Sequence, residues 1–574
     1  MTTLTQLNTW LKRPDHIRRV LVEITGVLRS TTLNPVSDQN LATNYSGTNS
    51  NYVTQLYSTY FARQPDSSGL AYWTSVLDKS VATRRQVELE FLNGEGSTQT
   101  FYLSNGGYTS FGTDSPANKS YLPIINSSIS FNDSISLNGE VSVSYGDLEL
   151  NNQDGSLDAF LNNYIWVNKP ITIYIGDPNW PKSDFKILFT GYVTDVLARN
   201  RNTVNIVITD KLRQVNGALS EQAFINTSKN NTPELIPVCF GECFNVTPLL
   251  VNPSTLTYQV HTGPIEDIIE VRDNGIPVAF TKDLANGKFT LSNSPYGQIT
   301  CSVQGAKHNN TYTNKIGETI KTILKYYGIA NQQLTDSSFS SDYSDYDTSF
   351  TISGTYTRPI GFYSQQKENV LDICNKLAIS CRSNLISLSG PLDTDSDVGK
   401  LKLVKLEIGV QPTSNLHYIT SADIEEFSIA INEVPQLTAA KKVAYNKNYT
   451  VQTSGLAGGV PTSSKALFNS EWLYATASNP TTISNYSLTS EASEEQTLLI
   501  NKTGAETEVL HRVNLWSKPR KIYTMLCYSH MMFLQIGDTV SITNRRFFLN
   551  NSLGVVVSLS KDWLAGRVTV GVLV

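Results

Sequence analysis

Residues 146–158, GDLELNNQDGSLD, and 167–196, VNKPITIYIGDPNWPKSDFKILFTGYVTDV, decide the fold class. Leu148 and Leu150 alternate with polar neighbours, Asn152-Gln153-Asp154-Gly155 supplies a turn, and ITIYI at 171–175 and ILFTGYV at 187–193 alternate again. A period of two belongs to strands with one face on a core. TVNIVIT at 203–209, with Val204, Ile206 and Ile208, closes the run. The pattern extends upstream to Ile135/Leu137 and Val141/Val143, and to IRRVLVEITGVLR at 17–29, where Val20, Val22 and Ile24 lie opposite Arg19, Leu21 and Glu23. These stretches predict an antiparallel barrel or sandwich.

Between the first strand and the rest the period lengthens to 3.6. Val53, Leu56, Tyr57, Tyr60 and Phe61 fall on one helical face; Gln64-Pro65-Asp66-Ser67-Ser68-Gly69 breaks it, and Asp66 is placed to cap a second helix whose inner stripe is Leu70, Trp73 and Leu77. Thr83 and Gln86 have capping-box spacing, Val87, Phe91 and Leu92 follow, and Gly94 is a natural stop, so three helices are expected here. With β character on both sides, the module reads as an insertion, and a unit this small leans on a neighbour.

Downstream, IIEVRDNGIPVAF at 268–280 carries a hairpin signal at Asp273-Asn274-Gly275. Ile316, Ile320, Ile323, Leu324 and Tyr327 mark one helix ended by Gly328, and Val370, Leu371, Cys374, Leu377, Ala378 and Cys381 mark another. Residues 337–350, SSFSSDYSDYDTSF, read as a polar loop. From about residue 401 a β pattern is expected to the last residue, with Val568, Val570, Val572 and Val574 in alternation and the terminus tied into a strand. The expected fold is mainly β (α+β), with several barrel-like or sandwich β-domains, a small inserted three-helix module and a two-helix middle region. Its expected divisions are 1–45 plus 100–225 (N-terminal β-domain), 46–99 (inserted module), 226–310 (second β region), 311–410 (mixed α/β) and 411–574 (C-terminal β-domain).

Composition narrows function. The chain has 574 residues, 17% of them charged, with a formal net charge of −5, so no large positive potential draws in a phosphate backbone and nucleic-acid binding is not the expected role. Six cysteines over this length are no disulfide framework and are expected as free thiols. Lys12 and Arg13 precede any apolar run, which argues against a secretory signal, and no stretch approaches the 18 apolar residues of a spanning helix. The expectation is a protein made in a cytoplasm, with no membrane insertion by this chain.

No constellation points to catalysis. Cys239 and Cys243 have C-x3-C spacing without a second ligand pair nearby, and are expected as two half-buried thiols; Cys374 and Cys381 share a buried helix face. Asp393, Asp395 and Asp397 resemble the start of a calcium loop, but Val404 stands where a bidentate Glu is required, so a hairpin connection is expected instead. His16, His261, His308, His417, His511 and His530 form no H-x-x-x-H pair, and no nucleophile elbow, P-loop or dinucleotide fingerprint is present. Glu88/Glu90 and Glu494/Glu495 read as solvated charges. No enzyme, no catalytic, cofactor-binding or metal-binding residue and no cofactor are expected. The 28 tyrosines suit protein interfaces or sugar stacking.

Two resemblances add to this. YVTQLYSTYFARQPDSSGLAYWTSVLDKS and RRQVELEFLNGEG, within 52–96, resemble the domain-of-unknown-function family numbered 4214, through the turn Arg63, Pro65, Asp66, Gly69, Leu70, Tyr72 and Trp73. That family occurs in bacterial surface and secreted proteins. YLSNGGYTSFGTDSPANKSYLPII at 102–125, with 146–158 and 167–196, resembles the N-terminal β-domain of bacteriophage tail-hub proteins. IPVCFGECFNVTPLLVNPSTLTYQVHTGPI at 236–265, NVLDICNKLAIS at 369–380 and the C-terminal IGDTVSIT and LGVVVSLSKDWLAGRVTVGVLV fit the same class. That resemblance implies a structural virion protein: the central hub of a tail tip or baseplate, a homotrimeric ring joining the tail tube to spike, fibres or baseplate arms. It further implies two barrels per subunit that make the ring pseudo-six-fold, with DNA only passing through the lumen. The module is outside the usual hub domain; its expected role is contact with another baseplate protein or fibre. The alternative is a receptor- or glycan-binding tail adhesin using aromatics such as Tyr72 and Trp73, although Trp73 is expected in a core.

Overall fold

The computed structural model describes residues 2–28, 45–61, 65, 67–79, 83–84, 87, 98–126, 130–135, 141–219, 223–226, 232–335, 338–339, 358–408 and 416–574. The chain is mainly β, with several sheets and a smaller helical share. Helix α1 (Leu4–Leu11) starts at a capping box in which Thr3 and Gln6 each bond the other's backbone. The first sheet uses β1 (Arg19–Leu28), β2 (Thr98–Ser104), β3 (Ser120–Pro123), β6 (Asp147–Asn151), β7 (Pro170–Gly176), β8 (Lys186–Asn200) and β9 (Thr203–Thr209), in the order β3-β2-β1-β7-β8-β9-β6. All neighbours are antiparallel except β3 and β2. The alternation foreseen in these stretches is observed: Val20, Val22, Ile24, Leu148, Leu150, Ile173, Val204 and Ile206 are fully buried. Leu21 is buried too, because the other face of β1 is covered by Tyr108, Tyr121 and Phe185.

A hairpin, β4 (Ser130–Ile135) and β5 (Val141–Tyr145), leaves this sheet between β3 and β6 and joins the C-terminal one. In the inserted module, α2 (Asn49–Phe61) and α3 (Ser67–Asp78) bury Tyr52, Val53, Leu56, Tyr57 and Leu77 together with Val87 in a cluster of their own. Arg63, Gln64, Asp66, Gln86, Phe91, Leu92 and Gly94 lie outside the described residues.

The second β region is a sandwich. Strands Val238–Val246, Ile265–Asp273 and Ile299–His308 of one sheet face Tyr258, Phe289 and Leu291 of another across a core that holds Cys239, Cys243, Cys301 and Val303. The Asn274-Gly275 hairpin forms where the sequence places it, with both residues at positive φ (47° and 83°), as a type I′ turn requires. Helices α4 (Ile316–Tyr327) and α5 (Val370–Ile379) follow as foreseen. Of residues 337–350, Ser338 and Phe339 are described; Phe339 is buried in the core beneath α4 and so departs from the polar-loop expectation, and the other residues of the stretch lie outside the described residues.

The expectation of β structure from 401 onward needs correction. Strands β10 (His417–Thr420) and β11 (Ala430–Glu433) lead into a mixed layer with helices Thr462–Asn469 and Pro480–Tyr486 and the 15-residue α6 (Lys502–Trp516). The last helix packs with α4, α5 and the strand Ala440–Tyr445 around Ile320, Ile373, Leu377, Val443 and Val509. Strands then resume as β12 (Ile522–Tyr528), β13 (Thr539–Asn544), β14 (Leu549–Asp562) and β15 (Arg567–Leu573), in the order β10-β13-β14-β15-β12-β11. No helix among the described residues is long and apolar enough to cross a membrane.

Candidate functional site

The two terminal sheets close in the same way. After β3, residues 124–126 cross to β6: Asn126 N–H donates to the Glu149 carbonyl (2.9 Å) and Asn151 N–H to the Ile124 carbonyl (2.7 Å), with Ile125 facing Leu150. After β10, residues 423–425 cross to β12: Glu425 N–H donates to the Leu526 carbonyl (2.8 Å) and Tyr528 N–H to the Asp423 carbonyl (3.1 Å), with Ile424 facing Cys527. Each sheet becomes a barrel through one short segment that is parallel to its first neighbour and antiparallel to its second.

The correspondence runs on through the meanders β7-β8-β9 and β13-β14-β15. Asn168 N–H donates to the Val193 carbonyl (2.8 Å) and Val193 N–H to that of Lys169 (2.9 Å); Gly537 N–H donates to Val556 (2.9 Å) and Val556 N–H to Asp538 (2.9 Å). Asn168 and Gly537 both have positive φ, 62° and 86°. The register of β8 on β9 shifts between Val193 and Asp195, and that of β14 on β15 between Val556 and Ser558. Two residues before each bulge stands a glycine whose added Cβ would meet a carbonyl at the end of the next strand, Thr209 O at 2.1 Å from Gly191 and Leu573 O at 2.8 Å from Gly554. Matching positions are buried in pairs: Leu148 and Met525, Leu150 and Cys527, Val193 and Val556, Ile206 and Val570. The chain thus contains one barrel plan twice. The first copy adds β1 and β2 between the closing strand and β7, whereas β10 lies directly on β13; the module sits in the β1–β2 connection.

The copies are joined by the β4–β5 hairpin. Phe131 stacks on Phe189 of the first barrel (5.2 Å, 11°), while β4 pairs antiparallel with Ser558–Asp562 of β14. Behind β4, fully buried Lys561 reaches the Gly390 carbonyl (3.3 Å), and Ser389 Oγ lies 3.2 Å from Asp133. Burial draws the Lys561 ammonium down to about 8 against the opposing pull of Asp133 and Asp538, and burial raises Asp133. Lys186 of β8 donates to the Asp393 carbonyl and pairs with Asp395 at 3.2 Å, so the acidic run 393–397 serves as a clamp on the first barrel within the β-hairpin connection between 387 and 401.

A second ionic node lies under α6. Glu508, fully buried, faces Arg382 Nε (3.0 Å), Arg512 Nε (2.9 Å) and Arg358 (3.6 Å). Burial favours its neutral form, but the three guanidiniums prevail and hold its carboxyl down to about 2. Glu494 and Glu495, read as solvated charges, pair with Lys442 (2.9 Å) and with Lys441 and Arg512. The arrangement welds layers together and presents no nucleophile–base pair.

The other residues singled out in the sequence also fall into the framework. Cys239, Cys243, Cys374 and Cys381 are fully buried, the first pair more deeply than the half-burial expected, and the thiols of Cys243, Cys374 and Cys381 are pushed up chiefly by burial. His261 accepts from the Cys239 N–H (3.2 Å), and burial draws it down to about 4, so it is a neutral acceptor. His530 bonds Asp423 of the second closing strand (2.8 Å). Trp73 packs against the module cluster, whereas Tyr72 is exposed. Glu88 and Glu90 lie outside the described residues. Sequence reasoning did not foresee the closing segments, Lys561 or Glu508. The one signal in reach was the shared G-x-V of 191–193 and 554–556.

Residues 33–101 match the family described as Domain of unknown function (DUF4214). Among curated proteins none matches the chain. Solved structures similar to it include the 43 kDa tail protein of prophage MuSo2 from Shewanella oneidensis, 12% identical with a TM-score of 0.34 over 80% of this chain and 95% of that one. The tail protein from Neisseria meningitidis MC58 is 8% identical with a TM-score of 0.36, over 79% and 93%. A chain of the virion of a native gene transfer agent particle is 12% identical with a TM-score of 0.35, over 59% and 84%.

Proposed function

We propose that this chain is a structural virion protein, the hub of a bacteriophage tail tip or baseplate, joining the tail tube to spike, fibres or baseplate arms. The observation that carries the reading is the repeated barrel. A protein that meets a six-fold tube with three subunits needs two equivalent contact units per chain, and one barrel plan used twice supplies them. The tail-hub resemblance of residues 102–125, 146–196 and the C-terminal strands agrees with this. In this reading 1–45 with 100–225 and 411–574 carry the two barrels, 226–310 and 311–410 fill the region between, and 46–99 projects toward another baseplate protein or fibre. A net charge of −5 suits a lumen through which DNA slides. The virion tail is the proposed location, after assembly in the host cytoplasm. The role is structural, without cofactor, since the buried ionisable groups described above are spent on holding layers.

Light scattering after size exclusion, with negative-stain averages of the same peak, tests the ring. The expected outcome is the mass of three chains and a three-fold ring with a central opening. A chain that stays monomeric at all concentrations and in the presence of a tail-tube ring would remove the hub reading.

A further inference from the structure

The duplication exposes a vacancy in one copy that is filled in the other. In the second barrel β14 is flanked by β15 on one side; on the other side β13 covers Leu549–Val555 and β4 then covers Ser558–Asp562. In the first barrel β8 is flanked by β9 on one side; on the other β7 reaches from Lys186 to Tyr192, and Asn168 and Lys169 bond Val193. Beyond that, among the described residues, no strand pairs with Asp195–Asn200 on the β7 side. Asp195 and the four residues Leu197–Asn200 are exposed, with Leu197 at 37%.

The covering strand has a counterpart as well. β4 follows the closing segment 124–126, pairs on one side with β5, which runs on into β6, and on the other with β14. β11 follows the closing segment 423–425 after four residues, against three between 126 and β4, and pairs on one side with the start of β12. On its other side, among the described residues, no strand pairs with it. A single chain therefore has both halves of its own β4–β14 contact left over, one on each barrel. An open edge and an open strand of matching sense complete each other when they come from neighbouring molecules.

We propose that the occupant of the Asp195–Asn200 edge is β11 of a second copy of this chain, paired antiparallel as β4 pairs with β14, so that the subunits close head to tail. The proposal rests on the trimeric hub reading and gives its subunit contact. Transferring the register, in which Ser560 faces Asn132 and Lys561 faces Phe131, sets Leu197 opposite Ile431 and Ala198 opposite Ala430. The apolar chemistry fits, since Leu197 and Ala198 meet Ile431 and Ala430; beyond the edge the exposed Arg201 comes beside the exposed Glu426, while Arg199 keeps its pair with Asp147 (2.6 Å) and Glu433 falls opposite Asp195 at the exposed end of the pairing. A β-pairing of this kind is heterologous, which closes a ring when the rotation allows.

The test uses the full chain carrying Ala198→Cys and Ala430→Cys. The six native cysteines are free and buried, so cross-linking background is low. Treated with a short bis-maleimide, the double variant is expected to run as a covalent trimer under denaturing conditions. Each single variant should stay uncross-linked, a mixture of the two should give covalent dimers, and a Tyr296→Cys control on an unrelated exposed tip should give neither. A trimer by light scattering that yields no covalent species overturns the edge pairing and leaves the hub standing. A chain that, with and without the two substitutions, stays monomeric at all concentrations and in the presence of a tail-tube ring removes both.

Discussion

Glu508 holds three arginines from three segments: Arg358, Arg382 in the turn after α5, and Arg512 one turn further along α6. Arg382 adopts a left-handed backbone (φ 56°), a conformation that favours glycine, and its side chain bonds Glu508 Oε1, which explains why an arginine is kept there. A carboxyl held near 2 in the fold and near its ordinary 4.5 in the open chain adds stability that is fully present above 4.5 and is lost as pH falls toward 2. The loss amounts to about 3 kcal/mol. Glu508→Gln leaves the three guanidiniums without their anion and is expected to cost about 3–5 kcal/mol at neutral pH. Hydrogen exchange of the α6 amides reads both effects. The variant should exchange faster at pH 7 and lose the extra acid sensitivity between 4.5 and 2; unchanged protection would show the cluster to be energetically idle.

At the scale of elements, the bulged hairpins β8–β9 and β14–β15 are the signature of the repeat, and each depends on a glycine packed under a neighbouring strand. Gly191→Ala would drive a methyl into the Thr209 carbonyl and the Phe189 ring, at an expected cost of about 1–3 kcal/mol. Gly554→Ala meets the Val572 side chain and the Leu573 carbonyl and is expected to act in the same direction. Thermal unfolding of the two variants checks this; a neutral Gly191→Ala would mean that the bulge relaxes freely. These strands were legible in one dimension because alternation of Ile171, Ile173 and Ile175, or of Val568, Val570 and Val572, is what a half-buried strand writes into sequence. The closing segments were not, since three residues carry no period. The β4–β5 hairpin read as a strand pair, but alternation does not say which sheet a strand joins, and its partner lies more than 400 residues away at Ser558–Asp562. Helix α6 was read as β-region because Glu508, His511 and Arg512 are buried alongside Val509 and Val513, so no polar stripe separates its faces. The same burial hides the candidate site: its residues look like surface charges until their partners are known.

On the scale of the whole molecule, the first barrel is the second barrel plan with β1, β2 and the module added. The strand ends that carry the module are already neighbours, with Val27 facing Thr98 in register. The module's described core, Tyr52, Val53, Leu56, Tyr57, Leu77 and Val87, is a cluster separate from the one that runs through both barrels. A domain inserted between adjacent strand ends, with its own core, can be exchanged for a tight turn without disturbing the pairing behind it. Replacing residues 29–96 by Asn-Gly, which favours the two-residue hairpin turn, is therefore expected to leave the barrel folded, with Tm within about 5 °C of the parent. The oligomeric mass should fall only by the mass of the excised segment, because the proposed subunit contact uses β8 and β11, and among the described residues neither pairs with β1–β2 connection residues. Loss of oligomer in a folded variant would place the module in the ring itself. Retention of the ring with loss of one tail partner would make the module an arm of the hub, its expected role.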